Sequence, residues 1–289
     1  MPPNLLEASE QDGRLEWLAT LPTVVATLCE RWRLDLDEPF QPGGQTAWVA
    51  PARRDGQDDL VLKVGWRHPE AEHEAEGLQV WDGEGAVRLH AVDRFDDTIA
   101  LLLERCVPGT TLSTRPEPEQ DTVVAGLLHR LWRKEPPPHH SFPTLQAMCD
   151  TWADEFERKD PAASAPKRVL DPGLAREGIA LFRTLPATAE REVLLCTDLH
   201  AGNVLAARRK PWLVIDPKPH LGDPTYDPLQ HMLNCEERLQ ADPRGLTHRM
   251  ADLLELDRER LLRWLFARCV QESPGWPGLA DVARRIAPA

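Results

Sequence analysis

The stretch "LLCTDLHAGNVLAARRKPWLVIDPK", Leu194 to Lys218, sets two carboxylates, an asparagine and a histidine between two apolar runs. Its parts separate cleanly. Residues 192–196 ("EVLLC") form a short apolar run, 197–203 ("TDLHAGN") a polar loop, 204–206 a stub of strand, 207–210 a turn, and 211–215 ("PWLVI") a buried strand ending at Asp216. Loop, hairpin and carboxylate in that order bring Asp198, Asn203 and Asp216 to one end of the hairpin. Two carboxylates and an amide oxygen near one point suit a hard cation such as Mg2+, which takes few protein oxygens beside water and phosphates.

That donor set points to phosphoryl transfer, where a loop Asp accepts or orients the proton of the attacking hydroxyl and an Asn with a second Asp holds the metal. The spacing D-x-x-x-x-N, Asp198 to Asn203, is that of the protein-kinase catalytic loop. A site of this kind needs a strand lysine for the nucleotide phosphates and a helix glutamate to hold it. "LVLKVG" supplies Lys63 inside an otherwise apolar strand, where an unpaired ammonium is costly. The segment that follows, "HPEAEHEAEGLQVWDGEG", reads as a helix entered at Pro69 and ended by Gly83 and Gly85. Of its glutamates Glu70, Glu72, Glu74 and Glu76, Glu74 shares a face with Leu78 and Trp81 and is the expected partner of Lys63.

The first third otherwise reads as an antiparallel sheet, from short apolar runs at 46–50, 60–64, 86–91 and 98–103 separated by Asp- and Gly-bearing turns. A helix over 14–32 precedes it. "QPGG" leads into the first run, placing Gly43, Gly44, Gln45 and Thr46 to cover ATP phosphates with backbone N–H groups and a hydroxyl, although a full G-x-G-x-x-G is absent. After 98–103 the chain crosses at "ERCVPG"; backbone near Glu104 and Cys106 is expected at the adenine edge, with Leu102 or Leu103 behind it. Beyond that point the periodicity is helical, over 123–132, 145–156, 174–182 and 261–270, with loops at Pro136 to Pro138 and at "DPAASAP" (Asp160 to Pro166). The expected architecture is α+β and bilobal: residues 1–104 a sheet lobe with one inserted helix, residues 105–289 a larger, mainly helical lobe.

Bulk properties narrow the partners. The chain has 289 residues and a formal charge of −13, which argues against nucleic acid and permits a cationic ligand. Early apolar segments are broken by charges and by Pro22, so no leader or membrane span is expected and a cytoplasmic protein is. The six cysteines lie far apart without a CxxC pair, giving neither a disulfide framework nor a zinc site.

"CTDLHAGNVL" followed by "LVIDPKPHLGDPTYDP" resembles the aminoglycoside phosphotransferase superfamily, in particular its streptomycin 6-phosphotransferase and hydroxyurea phosphotransferase branch. The family motif usually reads H-G-D-x-H-x-x-N, then a strand and I-D. The resemblance implies a protein-kinase-like fold and an ATP- and Mg2+-dependent O-phosphotransferase with Asp198 as catalytic base, Asn203 and Asp216 as Mg2+ ligands, and His200 bracing the loop. It also supports Glu74 through an E-x-x-x-L pattern, and implies that Asp223 and Asp227 brace the catalytic loop. The chain departs from the motif at Cys196, where the family has His; Cys offers only a weak donor and a small apolar body.

For the acceptor, Lys218, two residues past Asp216, is either a residue that approaches the transferring phosphate or a solvent-facing loop lysine. A guanidinium- or amine-rich acceptor would be lined by carboxylates such as Asp150, Asp154, Glu155, Glu236 and Glu237, with His231 and Asn234 either contacting it from the same helix or satisfying core partners. A streptomycin-type antibiotic is the expected acceptor. A metabolite kinase acting on a sugar or amino sugar, and a catalytically idle nucleotide-binding fold, are the alternatives; a monomer or weak dimer is expected in each case.

Overall fold

A computed structural model describes residues 1–54, 56–158 and 170–288 of the chain; the expected loop from Asp160 to Pro166 lies outside the described residues. The chain forms two units, Met1–Thr110 with Leu205–Ile215, and Thr111–Val204 with Asp216–Ala289.

In the first unit, helices α1 (Pro3–Gln11) and α2 (Leu15–Trp32) precede strands β1 (Asp35–Leu36), β2 (Ala47–Arg54) and β3 (Gln57–Trp66), then helix α3 (Glu74–Trp81), β4 (Leu89–Phe95) and β5 (Thr98–Glu104). The five strands form one antiparallel sheet in the order β1-β2-β3-β5-β4. Leu5, Trp17, Leu18, Leu21 and Leu28 of α1 and α2 pack with Leu60, Leu62, Val64, Ala100 and Leu102 of the sheet in one buried cluster. Because side chains alternate across a strand, Lys63, between Leu62 and Val64, points away from that cluster. Helix α1 is not expected from the sequence, because its single buried leucine leaves too little periodic signal.

Two boundaries differ from expectation. The helix begins at Glu74 rather than Pro69, with turns before it, so Glu70 and Glu72 are not on it. Glu72 instead faces back to Arg67 Nε and Nη2, at 2.7 and 3.0 Å. The third apolar run enters the sheet only at Leu89; its Ala86 bridges in parallel to Val214. Val214 belongs to the predicted hairpin, whose strands Val204–Ala207 and Trp212–Val214 form a three-stranded sheet with Pro108–Thr111.

The second unit is mainly helical: α4 (Glu117–Leu131), α5 (Leu145–Arg158), α6 (Pro172–Thr184), α7 (Leu229–Asn234), α8 (Glu236–Ala241), α9 (Pro243–Leu254), α10 (Arg258–Glu272) and α11 (Gly278–Ile286). An Asp-Pro pair opens two of these helices. Asp171 and Asp242 cap α6 and α9 with their carboxylates, each followed by Pro at the first helical position, where its missing N–H costs nothing. A short strand pair, Val193–Leu195 with His220–Gly222, brackets the stretch that holds Asp198, Asn203 and Asp216.

Candidate active site

The first unit holds the predicted cation. Lys63 Nζ lies 2.6 Å from Glu74 Oε2, and Glu74 is 2% exposed. The pair is fixed from both sides, Lys63 by the β3 ladder to β2 and β5 and Glu74 at the start of α3. Leu103, opposite Val61 in the register, shares the Lys63 face; Leu102 belongs to the core cluster on the other face. Glu104 is committed elsewhere. Its N–H is donated to Arg88 O at 2.9 Å, and its carboxylate accepts Arg209 Nε and Nη2 at 2.7 and 2.8 Å and Arg88 N at 3.1 Å. Burial raises the Glu104 carboxyl, yet Arg209 and Arg88 bring it below its ordinary value. Cys106 is buried, and burial pushes its thiol up to about 12, so its side chain stays neutral.

The Gly43 loop is shaped by packing. Gly43 has φ 82°, and a Cβ there would come within 2.5 Å of Pro2 Cβ, so only glycine fits. Asn4 Nδ2 donates to Gly43 O at 3.0 Å, Arg14 Nη1 to Gln45 O at 3.2 Å, and Trp66 N to Thr46 O at 2.8 Å. These bonds use carbonyls of the loop. Gly44 and Gln45 are exposed.

In the second unit the catalytic stretch is a strained loop held by many bonds. Asp227 is fully buried, and its carboxylate accepts the N–H groups of Cys196 (3.0 Å) and Thr197 (2.7 Å) and the indole N–H of Trp132 (2.8 Å). Burial pushes its carboxyl up to about 6, against the pull of those three donors. The companion carboxylate of Asp223 accepts Arg260 Nε and Trp264 Nε1, both at 2.7 Å. Both therefore brace rather than face ligand. Cys196 has no exposed surface, and burial holds its thiol well above the ordinary value. Its main chain does the bracing: its carbonyl accepts Asp198 N and Lys218 N at 2.8 and 2.9 Å.

Around Asp198, Lys218 Nζ lies 3.1 Å from Oδ2. Asn203 Nδ2 donates to the Asp198 carbonyl at 3.1 Å. The Asn203 amide thereby fixes its NH2 on the loop and turns its oxygen to other uses, while Asp216 is exposed. An amide oxygen and a carboxylate are hard donors and fit Mg2+. His200 Nδ1 accepts from Gly202 N at 3.1 Å, which puts its proton on Nε2 and caps the 3-10 turn Ala201–Asn203. Burial, with Lys218 adding to it, holds this imidazole below its usual value despite the nearby Asp198, so it is a neutral brace.

Thr197 went unnoticed in the sequence although the signal was there. It stands where the motif has Gly, and its φ is 52°, a left-handed conformation that a β-branched residue adopts at a cost of about 1–3 kcal/mol. Two bonds hold it there, its N–H to Asp227 and its hydroxyl to Lys218 O at 2.6 Å. Asp216 is left-handed too, at φ 54°.

The acceptor candidates scatter over α5, α7 and α8. His231 is corrected: it is fully buried, with Nε2 2.9 Å from Asp121 Oδ1, and offers nothing to a ligand. Asp121 also takes Arg238 at 2.8 Å and Arg249 at 2.6 Å. Burial opposes its charge, but His231 and the two guanidiniums outweigh that and hold the carboxyl well below the usual range. Asp121, His231 and Cys235 lie close enough to share an ion, yet the two guanidiniums already neutralise the carboxylate. Asn234 is exposed and donates to Gln230 O within its own helix. Glu236 accepts the Trp276 indole at 3.2 Å, and Glu237 is exposed. Asp150, 3.7 Å from Arg183, joins Asp154 and Glu157 around that guanidinium, and Glu155 is half-buried.

Residues 31–277 match the family model described as "Aminoglycoside/hydroxyurea antibiotic resistance kinase". The chain is 33% identical to a streptomycin 6-kinase of Streptomyces griseus, over 94% of this chain and 89% of the relative. It is 36% identical to a hydroxyurea phosphotransferase of Kitasatospora aureofaciens, over 89% of this chain and 73% of the relative. Among solved structures, aminoglycoside phosphotransferase APH(4)-Ia in a ternary complex with ADP and hygromycin B superposes with a TM-score of 0.59 at 14% identity, covering 91% of this chain and 98% of that one. Choline kinase LicA of Streptococcus pneumoniae gives 0.61 at 13% identity, over 93% and 97%. These likenesses establish the protein-kinase-like fold, with a sheet unit and a helical unit as expected. The match over most of its length, with the catalytic stretch inside it, makes the chain a member of the aminoglycoside/hydroxyurea antibiotic resistance kinase family, a phosphotransferase acting on a hydroxyl group.

Proposed function

We propose that this kinase transfers the γ-phosphoryl group of ATP to a hydroxyl of a streptomycin-type aminoglycoside, inactivating it. The observation that carries the chemistry is the Asp198 loop, where the carboxylate lies against the Lys218 ammonium, the Asn203 NH2 is bonded to the Asp198 carbonyl, and the backbone is held by the Asp227 carboxylate. The acceptor rests on two relatives named streptomycin 6-kinase, at 33% and 32% identity over most of the chain.

In this reading, Asp198 takes the proton of the acceptor hydroxyl as its oxygen bonds to the γ-phosphorus. The bond between that phosphorus and the β–γ bridging oxygen breaks, and ADP leaves with the electron pair. Asn203 and Asp216 would hold Mg2+, which when bound offsets phosphate charge. Lys63, oriented by Glu74, pairs with the nucleotide phosphates. His200 braces the loop from within. Gly43, Gly44, Gln45 and Thr46 cover the phosphates, and backbone at Cys106, rather than the committed Glu104 N–H, meets the adenine. In this reading the sheet unit covers the nucleotide and the helical unit carries the catalytic loop and acceptor pocket, the hairpin strands of 205–215 belonging with the first rather than within the expected 105–289 lobe. Carboxylates Asp150, Glu236 and Glu237, with Asn234, are the acceptor-facing set for a cationic sugar. All six cysteines are free, which suits a cytoplasmic enzyme that draws on cellular ATP, and no helix among the described residues is long and apolar enough to cross a membrane.

An ADP-release assay across aminoglycosides, hydroxyurea and amino sugars tests this. Streptomycin should raise turnover, and Asp198→Asn should lower it at least a hundredfold. Turnover with hydroxyurea or an amino sugar alone would move the acceptor; none with any compound would end the reading.

A further inference from the structure

Lys218 is tied to the catalytic loop at three points. Its N–H is donated to Cys196 O, its carbonyl accepts the Thr197 hydroxyl at 2.6 Å, and its ammonium lies 3.1 Å from Asp198 Oδ2. The same carbonyl faces His220 Nδ1 at 3.0 Å. The partners of Lys218 on the loop are thus the three consecutive residues 196, 197 and 198. A side chain with four rotatable bonds is a poor positioner unless its main chain is fixed, because the entropy of a free lysine competes with any single ion pair. Here the main chain is fixed on both sides of the residue, through its N–H and through its carbonyl.

The hydroxyl that fixes it comes from the residue that replaces glycine in the motif. Glycine would adopt the left-handed conformation of residue 197 freely and would leave the Lys218 carbonyl without that donor. The strain at Thr197 therefore coincides with a bond that only a side-chain hydroxyl can make.

We propose that Thr197 and Lys218 act as one positioning device for Asp198: the Thr197 hydroxyl clamps the Lys218 main chain, and the ammonium holds Oδ2 so that the other carboxylate oxygen faces the acceptor hydroxyl. This rests on Asp198 being the base. A lysine here also sets a positive charge beside the base where the acceptor oxygen and the phosphoryl oxygens become more negative. Lys218 is then part of the base's orientation, and Thr197 acts through it.

The test is a double-mutant cycle in kcat. Lys218→Met should lower kcat about 30- to 100-fold with KM for ATP within threefold, and Thr197→Val should lower it about tenfold. Thr197→Ser, which keeps the hydroxyl, should retain at least a third of kcat. Thr197→Gly should hold or raise Tm while still losing kcat, an outcome that a merely structural role does not give. The doubly substituted Thr197→Val, Lys218→Met protein should be no slower than Lys218→Met alone. Additive losses, or full kcat in Lys218→Met, would overturn the device. A separate cycle in Tm between Asp198→Asn and Lys218→Met needs no acceptor; absence of coupling there removes the ion pair whatever the enzyme phosphorylates. If Asp198→Asn keeps full activity, the reading of the base has failed, and that result is distinct from failure of the device.

Discussion

Two lysine–carboxylate pairs with similar short contacts are built in opposite ways. Lys63–Glu74 sits on regular structure, a strand and a helix, with Glu74 2% exposed. Lys218–Asp198 sits on irregular backbone, with side chains 32% and 19% exposed, and depends on two residues at positive φ and on side-chain-to-backbone bonds. In the first pair the ladder and helix supply the geometry, and removing one charge leaves a buried ion. In the second the geometry itself is the product, and solvent still reaches both charges. Stability should therefore depend on the first pair far more than on the second.

The largest expected effect breaks this contrast directly. Lys63→Met takes the ammonium from the buried Glu74 carboxylate and should cost about 3 kcal/mol or more of stability, seen in chemical denaturation, whereas Lys218→Met should cost about 1 kcal/mol or less, a loss that disappears in the Asp198→Asn background. Equal losses in both would erase the distinction. Removing both charges, as Lys63→Met with Glu74→Gln, should recover part of the lost stability, because the buried ion goes with its partner.

Asp227 sharpens it next. Its folded carboxyl titrates at about 6, raised from 3.8 chiefly by burial. The native state thus binds a proton more tightly than the unfolded chain, and this contribution, full below pH 4, is lost as pH rises through 6. Wild type should lose stability over that window relative to Asp227→Asn, measured as the difference between their Tm profiles. The substitution should also slow turnover, since an amide cannot serve three N–H donors as a carboxylate does.

Arg209 holds Glu104 bidentately and donates to Gly83 O at 2.8 Å, half-buried beside the hairpin turn. Arg209→Met should cost about 1–2 kcal/mol, more than a surface pair and less than Lys63. The smallest effect belongs to Asp252→Asn, which breaks a bidentate pair with Arg258 whose members are each 55% exposed. It should stay within about 0.5 kcal/mol. A larger loss would mean that exposure does not separate these pairs.

Legibility in the sequence follows the same division. Strand alternation and helix spacing singled out Lys63 and Glu74 correctly as an ion pair, and the D-x-x-x-x-N spacing placed Asp198 and Asn203 on one loop. Helical spacing leaves His231 open between a substrate contact and a core partner; only the fold brings Asp121 to it, with Arg238 and Arg249 on the same carboxylate. The start of α3 was misplaced because Pro69 and its glutamates suit a first turn, whereas the Arg67–Glu72 pair holds them in turns.

By itself the sequence determined the two-part architecture and brought out the Lys63–Glu74 pair and the Asp198 loop, because local periodicity and short fixed spacings are written along the chain, whereas the family was legible only as a resemblance of the motifs around Asp198 and Asp216. What only the tertiary structure decided is how the catalytic loop is held. Asp227 under Cys196 and Thr197, and the Thr197 hydroxyl on the Lys218 carbonyl, are bonds between residues 31, 30 and 21 positions apart, and Thr197 makes its two at a backbone conformation that no local propensity favours.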